Sequence, residues 1–592
     1  STIGFGRTLV SSPSRVPNPP ARITVCIVAP RHVFDSMTKS IAQARNGRTF
    51  RWAECGTLLL ILGVAAGLRI YGVGFGLPAL NDPDEPLFVM TALEMLRNHS
   101  LNPGWFGHPG TTTLYCLALI SLAVGGLGIA TGRFADGHAL MVAAYADPGI
   151  IFLPGRLFIV ACGVGCVWFT WSLGKKLGGA RLGLIAAAFL AVNAVHIHYS
   201  QIIRTDVQAT VFMLLCTRSA VAIAHEGRAR DYLLAGIWAG LACATKWPAA
   251  IIVLNPLCAG LYRVSLDRRE WRRLALLPAT ALAALLIASP YLLLDYPTVI
   301  RNLAGEARTA HPGATGGGFL ANLSWYVAHP LLMSFGAAGL TLIAAGTLGA
   351  LSRPLKAVAV LPGVIAFLIV IGAQALLWER WIVPMLPFAA LAAAAAICWL
   401  ADRLRAQLTR PLHFLEVAAA ILLMIPMLQA TCASAIERAQ DTRQVASAWV
   451  RVNVPPGKSI VVEHAAFDLL GGPWRFLFPL GSAGCVDARE VLAKRIRYSR
   501  VEVLRSGRAV VDLAHVDVAQ LPTCHADVAI LTHYDSYRTD AVHFPSEMDR
   551  YAHLLRGGRL LATIRPVSGA RTGPVVRIVE LSPEQLYPPE GR

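Results

Sequence analysis

The sequence predicts a polytopic α-helical membrane protein that ends in an α/β domain outside the bilayer. Three observations carry this expectation. Of 592 residues, 55% are hydrophobic and only 15% charged, and the mean hydropathy is +0.53. That composition suits a multi-span membrane protein and is too apolar for a water-soluble one. Apolar stretches close to the roughly 20 residues a bilayer requires recur between residues 53 and 431. After about residue 437 the pattern stops, and short runs rich in β-branched residues replace it.

The net charge of +18 raises the question of nucleic acid. The excess Lys and Arg lies in short loops between apolar stretches, however, which is the positive-inside pattern. Membrane lipids are therefore the expected surroundings, and nucleic acid is not an expected partner.

Residues 1–50 read as a disordered tail, since Pro13, Pro17, Pro19 and Pro20 crowd a segment without sustained periodicity. Met37-Thr38-Lys39-Ser40 resembles a natural start, which makes 1–36 an extension that is not translated. A cleaved targeting peptide is the alternative, but no small-residue cleavage site follows an apolar core.

The first apolar stretch, 53–71, follows Arg45, Arg48 and Arg51, so the N-terminus is expected in the cytoplasm. Further stretches lie at 112–131, 154–173, 182–200, 207–224, 231–248, 249–262, 274–294, 331–350, 356–377, 381–400 and 412–431. Basic loops at Lys175/Lys176/Arg181, Arg228/Arg230, 263–273, Arg353/Lys356 and Arg403/Arg405/Arg410 are expected inside. The loops at 200–206, 245–248, 295–330 and 378–380 then face outward, as does everything after about 432. A full crossing by 112–131 would invert this map against its charges. The reading that keeps the map is a non-crossing 112–131, rich in Gly, within one large outer loop of about 74–152. The count is then about eleven spans. An ordinary span there, with another missed elsewhere, is the alternative.

The domain organisation expected is the tail, a membrane module over 51–435 and an extracytoplasmic α/β domain over 436–592. In that domain 459–463, 509–513, 527–532 and 575–579 read as strands, and 442–452 reads as an amphipathic helix through Val445, Trp449 and Val450. Nine of the twelve cysteines lie in or beside apolar stretches. Cys485 and Cys524 form the one pair in the polar C-terminal region, where a disulfide is an option outside the cytoplasm.

Candidate chemistry gathers on the outer face. The acidic loop Asn81-Asp82-Pro83-Asp84-Glu85-Pro86 follows the first span. Arg204-Thr205-Asp206, Thr245-Lys246-Trp247, Glu379-Arg380-Trp381 and Asp295 lie at span ends, and His108-Pro109-Gly110 precedes 112–131. Each alone reads equally as an interfacial anchor or helix start. Carboxylates and cations on one lipid surface suit chemistry on a phosphate-bearing lipid.

These pieces resemble, in order and spacing, the membrane glycosyltransferases of the protein O-mannosyltransferase type, which have a GT-C fold (glycosyltransferase family 39-like) and include the lipid A aminoarabinose transferases. Oligosaccharyltransferase catalytic subunits are more distant. The matching segments are Asp84-Glu85, His108-Pro109-Gly110, 200–206, 240–246, 289–297 and 380–387, so the resemblance covers about 50–435. Two departures stand out: Pro109-Gly110 replaces the usual Pro-Pro, and Leu87 replaces an aromatic residue.

The resemblance implies an inverting hexosyl or pentosyl transfer from a polyprenyl-phosphate sugar to a glycan, lipid or protein hydroxyl, at the outer face of the membrane; the high Ala, Arg and Gly usage and the lack of long eukaryote-like loops point to a bacterial inner membrane. The same resemblance implies Asp84 as general base and Glu85 as its helper or acceptor-positioning group. Lys246, Arg204 and Arg380 would stabilise the lipid phosphate. Asp206 and His108 would support, with Asp206 orienting Arg204 or, alternatively, holding a divalent metal. No cofactor is otherwise implied. The glycine-rich loop 310–318 is expected to be flexible, closing over the donor or simply connecting. The rival reading is a transporter or flippase of lipid-linked sugars, although transporters usually place their charges near the bilayer midplane.

Overall fold

The computed structural model describes residues 52–407, 414–463, 467–487, 489–490, 493 and 512–581. The N-terminal tail, Arg410 and residues 509–511 of one expected strand lie outside the described residues. Helices in the membrane part are α1 (Trp52–Ile70), α2 (Glu85–Arg97), α3 (Thr111–Ala130), α4 (Gly137–Ala146), α5 (Gly149–Gly178), α6 (Ala180–Ala191), α7 (Ala194–Ser200), α8 (Thr205–His225), α9 (Ala229–Thr245), α10 (Trp247–Leu266), α11 (Arg268–Ala288), α12 (Tyr296–Glu306), α13 (Phe319–Leu351), α14 (Pro354–Gly372), α15 (Glu379–Gln407) and α16 (Leu415–Ala439).

Among the described residues ten helices are long and apolar enough to cross a membrane, or eleven counting the bent pair α6–α7. One of the ten, α3, starts beside the end of α9, where the Gly110 N–H donates to the Thr245 carbonyl, and the chain turns sharply at its other end. Gly128 lets the Phe134 ring lie against its far end, and Leu140 of α4 packs at Gly125. The 10-residue α4 is only about 15 Å long, half a bilayer core. Its last turn carries Tyr145, which packs on the core of the C-terminal domain. The ten or eleven candidates include α3 and leave out the 17-residue α9; the charge-based expectation, with α3 not crossing and α9 crossing, would also count eleven. Strict alternation then puts the 71–148, 201–204, Lys246, 289–318 and 373–378 connections on the C-terminal-domain side. The basic turns around Lys175, Arg228, Arg268, Arg353 and Arg403 fall on the other.

Two expected elements differ. The stretch 182–200 is one run by hydropathy but bends by 65° between α6 and α7. The broken end is satisfied from outside: Arg69 donates to the Leu190 and Ala191 carbonyls, each at 3.0 Å, and Thr431 Oγ1 to that of Val192 at 2.8 Å. Asn193 caps α7 by accepting from the His196 N–H at 2.9 Å. Irregular backbone at membrane depth is tolerated only with such partners. The loop expected over 295–330 is partly helical, because α12 occupies it and α13 begins at Phe319.

The C-terminal domain opens with α17 (Thr442–Asn453), capped by Asp441. Its mixed sheet runs β3-β2-β1-β4-β6-β5, with β1 (Ser459–Val462), β2 (Arg475–Pro479), β3 (Cys485–Val486), β4 (Val528–Leu531), β5 (Arg559–Ile564) and β6 (Val576–Glu580). The central β1 is parallel to both β2 and β4. Side chains alternate between two cores as strand pleating requires: Ile460, Val462 and Ile530 on one face, Val461, Ala529 and Leu531 on the other. Strands β1, β4 and β6 fall where expected; Leu513 instead begins a short 3-10 turn. Cys485 and Cys524 form a disulfide. Closing a loop of 39 residues stabilises by about 4 kcal/mol in the chain-entropy account.

Candidate active site

The acidic loop turns directly into α2, for which Asp84 occupies the N-cap position and Pro86 the first turn. A proline there costs nothing, since its missing N–H has no helical partner. Asp82 Oδ1 accepts from the Asp84 N–H at 3.0 Å, holding the loop tight. The two adjacent carboxylates then point apart.

Glu85 is fully buried and receives a bidentate pair from Arg156 of α5, at 2.8 and 2.6 Å. It also accepts from the Ile203 N–H at 2.9 Å, while Arg156 donates to the Val73 and Phe75 carbonyls. These bonds brace α2, α5 and the 201–204 loop against one another. Glu85 has no exposed surface to meet an acceptor, in contrast to the role the resemblance implied.

Asp84 keeps a third of its side chain exposed. It pairs with Arg204 Nη1 and lies 3.6 Å from Arg380 Nη1. Arg204 reaches both Asp82 oxygens through Nη2, at 3.0 and 2.9 Å, so one guanidinium spans two carboxylates. Burial disfavours its charge, but Asp82 and Asp84 prevail and raise its pKa. Asp206, in the first turn of α8, pairs with Lys246 rather than with Arg204. Lys246 ends α9; burial lowers its pKa, Asp206 opposes this, and Arg380 adds to it. Arg380 stacks over Trp378 at 4.5 Å, and its buried Nε has no partner among the described residues.

His108 sits at the centre. The His108 carbonyl accepts from the Trp247 N–H at 2.6 Å, and the Gly110 N–H donates to the Thr245 carbonyl at 3.2 Å. These bonds, with a bridge between Pro109 and Lys246, dock the His-Pro-Gly turn against the end of α9. Burial lowers the His108 pKa to about 3, with Lys246 and Arg380 adding to the effect and Asp206 and Asp84 opposing it. His108 is thus neutral at physiological pH. Gly110 has φ 69°, a left-handed value that the ring of proline forbids, so the Pro-Gly departure has a conformational consequence.

Six of the seven expected residues, Asp84, Arg204, Arg380, Lys246, Asp206 and His108, thus form one cluster, and Glu85 braces it from beneath. Sequence reasoning missed Asp82 and Arg156. Asp82 was visible two residues before Asp84; Arg156 was hidden inside an apolar stretch. Among the described residues no group of three or more His, Cys, Asp or Glu side chains is arranged to hold a metal ion. The loop 310–318 is pinned: Gly316 N–H donates to the Ala375 carbonyl and Leu377 N–H to that of Ala314, both at 2.8 Å, and Thr315 Oγ1 donates to Asp540 of the C-terminal domain at 2.6 Å.

The architecture is that of integral-membrane glycosyltransferases of the GT-C fold. The chain is similar to ArnT from Cupriavidus metallidurans in the apo state, at 14% identity over 90% of this chain and 100% of that one, with a TM-score of 0.52. It is equally similar to that protein bound to undecaprenyl phosphate, at 13% identity, 90% and 99% coverage and a TM-score of 0.51. Similarity also extends to the oligosaccharyltransferase AglB from Archaeoglobus fulgidus, in complex with an inhibitory peptide and a dolichol-phosphate, at 14% identity, 86% and 73% coverage and a TM-score of 0.49. The family model for dolichyl-phosphate-mannose-protein mannosyltransferase matches residues 151–294, the segment that carries Arg156, Arg204, Asp206 and Lys246. The fold of this chain is thus the GT-C fold, and the family model covers about a quarter of its length. Among curated proteins, none matches it by sequence.

Proposed function

We propose that the protein transfers a sugar from a polyprenyl phosphate to the hydroxyl of a glycan, lipid or protein acceptor, on the membrane face that carries the C-terminal domain. The observation that carries the reading is the partly exposed Asp84 carboxylate, held by Arg204 and facing Arg380. The similarity to ArnT bound to undecaprenyl phosphate supports the donor class.

In this reading the acceptor oxygen attacks the anomeric carbon from the side opposite the phosphate, and its proton passes to Asp84. The bond from the anomeric carbon to the phosphate oxygen breaks, and the lipid phosphate leaves carrying the electron pair. Configuration inverts. Arg380, whose single carboxylate contact is long, and Lys246 stabilise the leaving phosphate in a site poor in water. Arg204 is committed to Asp82 and Asp84, which suits it to orient the base. Asp206 holds Lys246, and Glu85 with Arg156 positions the loop. The orientation that fits is the C-terminal domain outside the cytoplasm: the opposite face carries the basic turns, and the disulfide requires an oxidising compartment.

The test is transfer from radiolabelled polyprenyl-phosphate sugars by purified protein in liposomes, wild type beside Asp84→Asn. Label should reach an acceptor and lipid phosphate should be released, with both lost in the variant while it remains folded. Near-normal turnover by Asp84→Asn would remove Asp84 as the base. Label that only changed leaflet would favour a transporter instead.

A further inference from the structure

A second cavity lies on the face opposite the active site, where the α5–α6 turn, the start of α14 and the end of α15 meet. It holds about 520 Å³ and is lined by Arg181, Arg353, Lys356, Trp399, Asp402 and Arg403 among others. Leu182, Ala395 and Cys398 give it an apolar wall. Along α15 it is about 30 Å from Arg380, at 1.5 Å per residue.

Its charges do not cancel. Arg181 pairs with Asp402 at 3.2 Å and with Glu416 at 3.1 Å, and Arg405 pairs with the same two carboxylates. That leaves two cations against two anions. Arg353, Lys356 and Arg403 remain, and none has a carboxylate partner among the described residues. Lys356 donates to the Leu177 carbonyl, Arg403 lies 5.8 Å over the Trp399 ring, and Arg353 is exposed. Arg353 is also the N-cap of α14, whose helix dipole adds positive field at the same place. Trp399 is 54% exposed at this rim, a position where tryptophan anchors to the bilayer interface.

An uncompensated basic cavity between transmembrane helices, with an apolar wall and a tryptophan at its rim, matches one ligand chemistry: a phosphodiester head group whose acyl chains stay in the bilayer. We propose that this cavity binds an anionic phospholipid of the leaflet opposite the active site. A free anion would satisfy the charges but would leave the apolar wall uncovered.

The experiment uses the full chain in nanodiscs of phosphatidylcholine with increasing phosphatidylglycerol, read by native mass spectrometry of retained lipid and by thermal unfolding. Wild type should retain anionic lipid and gain thermal stability as its fraction rises. Arg353→Gln with Arg403→Gln should weaken retention roughly ten- to thirty-fold, for two charges near an anionic lipid. Arg268→Gln with Arg269→Gln, on the same face outside the cavity, should not. Ala395→Trp fills the cavity without altering charge and should displace the lipid too, which separates occupancy from general attraction. Equal retention by the cavity variants, or equal loss in the Arg268/Arg269 control, would overturn the proposal. So would inorganic phosphate stabilising wild type as fully as the lipid.

Discussion

Glu85 and Arg156 are both completely shielded, and their bidentate pair lies beneath the partly exposed Asp84. Breaking such a pair strands a buried charge, which costs about 3–5 kcal/mol, whereas replacing both partners by apolar residues is often neutral. Glu85→Gln is therefore expected to lower the unfolding temperature markedly, and Glu85→Leu with Arg156→Leu to recover much of the loss. Asp84→Asn should leave that temperature nearly unchanged while abolishing transfer. Thermal unfolding beside turnover separates the two carboxylates; similar unfolding losses for Glu85→Gln and Asp84→Asn would contradict the division of labour. His108 gives a second prediction. Burial, with Lys246 and Arg380, holds its pKa near 3 in the folded state, against an ordinary value of 6.5. Between those values the unfolded chain binds the extra proton, so stability is full above about pH 6.5 and falls as pH drops toward 3. The fall in unfolding temperature between pH 7 and 5 should be smaller in His108→Gln, and a transfer rate profile should show no ionisation of His108 near pH 6.5.

At the scale of elements, the turn that carries His108 depends on Gly110. Its φ of 69° starts α3 where the Gly110 N–H can reach the Thr245 carbonyl. Gly110→Pro, which restores the family's usual Pro-Pro, removes that N–H and forces φ near −65°. It should displace His108 from Lys246 and reduce turnover at least tenfold, while Gly110→Ala, strained by about 1–2 kcal/mol, should retain partial activity. A turnover assay of both decides this, and an unimpaired Gly110→Pro would refute it. The span ends were legible in sequence because charge is conspicuous in an apolar chain: Asp84, Arg204, Asp206, Lys246 and Arg380 each interrupt or end a stretch. Their pairing was not. Asp206 meets Lys246 rather than Arg204 because α8 and α9 lie side by side, and Glu85 finds Arg156 across 71 positions. The bend at Val192 was equally hidden, since hydropathy is blind to a carbonyl satisfied by a distant Arg69.

At the scale of the whole molecule, the charge asymmetry and the parity of the helices require each other. If α3 crossed, the site residues on α8, α9 and α15 would be separated from Asp84 by a bilayer. Instead they meet: Arg204 with Asp84, and the His108 turn with Lys246. Among the described residues, the contacts that fasten the C-terminal domain to the same face include three. Arg443 donates to the Asn81 carbonyl of the acidic loop, Asp540 accepts from Thr315, and Tyr145 of α4 packs against the core of the domain. The geometry of α3 is open to a direct test. In a variant without its free cysteines, Thr131→Cys at the far end of α3 should react with a membrane-impermeant maleimide from the side of the C-terminal domain. Ser352→Cys, between α13 and α14, should react only once the membrane is opened. Both positions are exposed, so labelling reports sidedness rather than burial. Labelling of Thr131→Cys only from the Ser352 side would mean that α3 crosses, and would break the alternation that brings every cation of the site to Asp84.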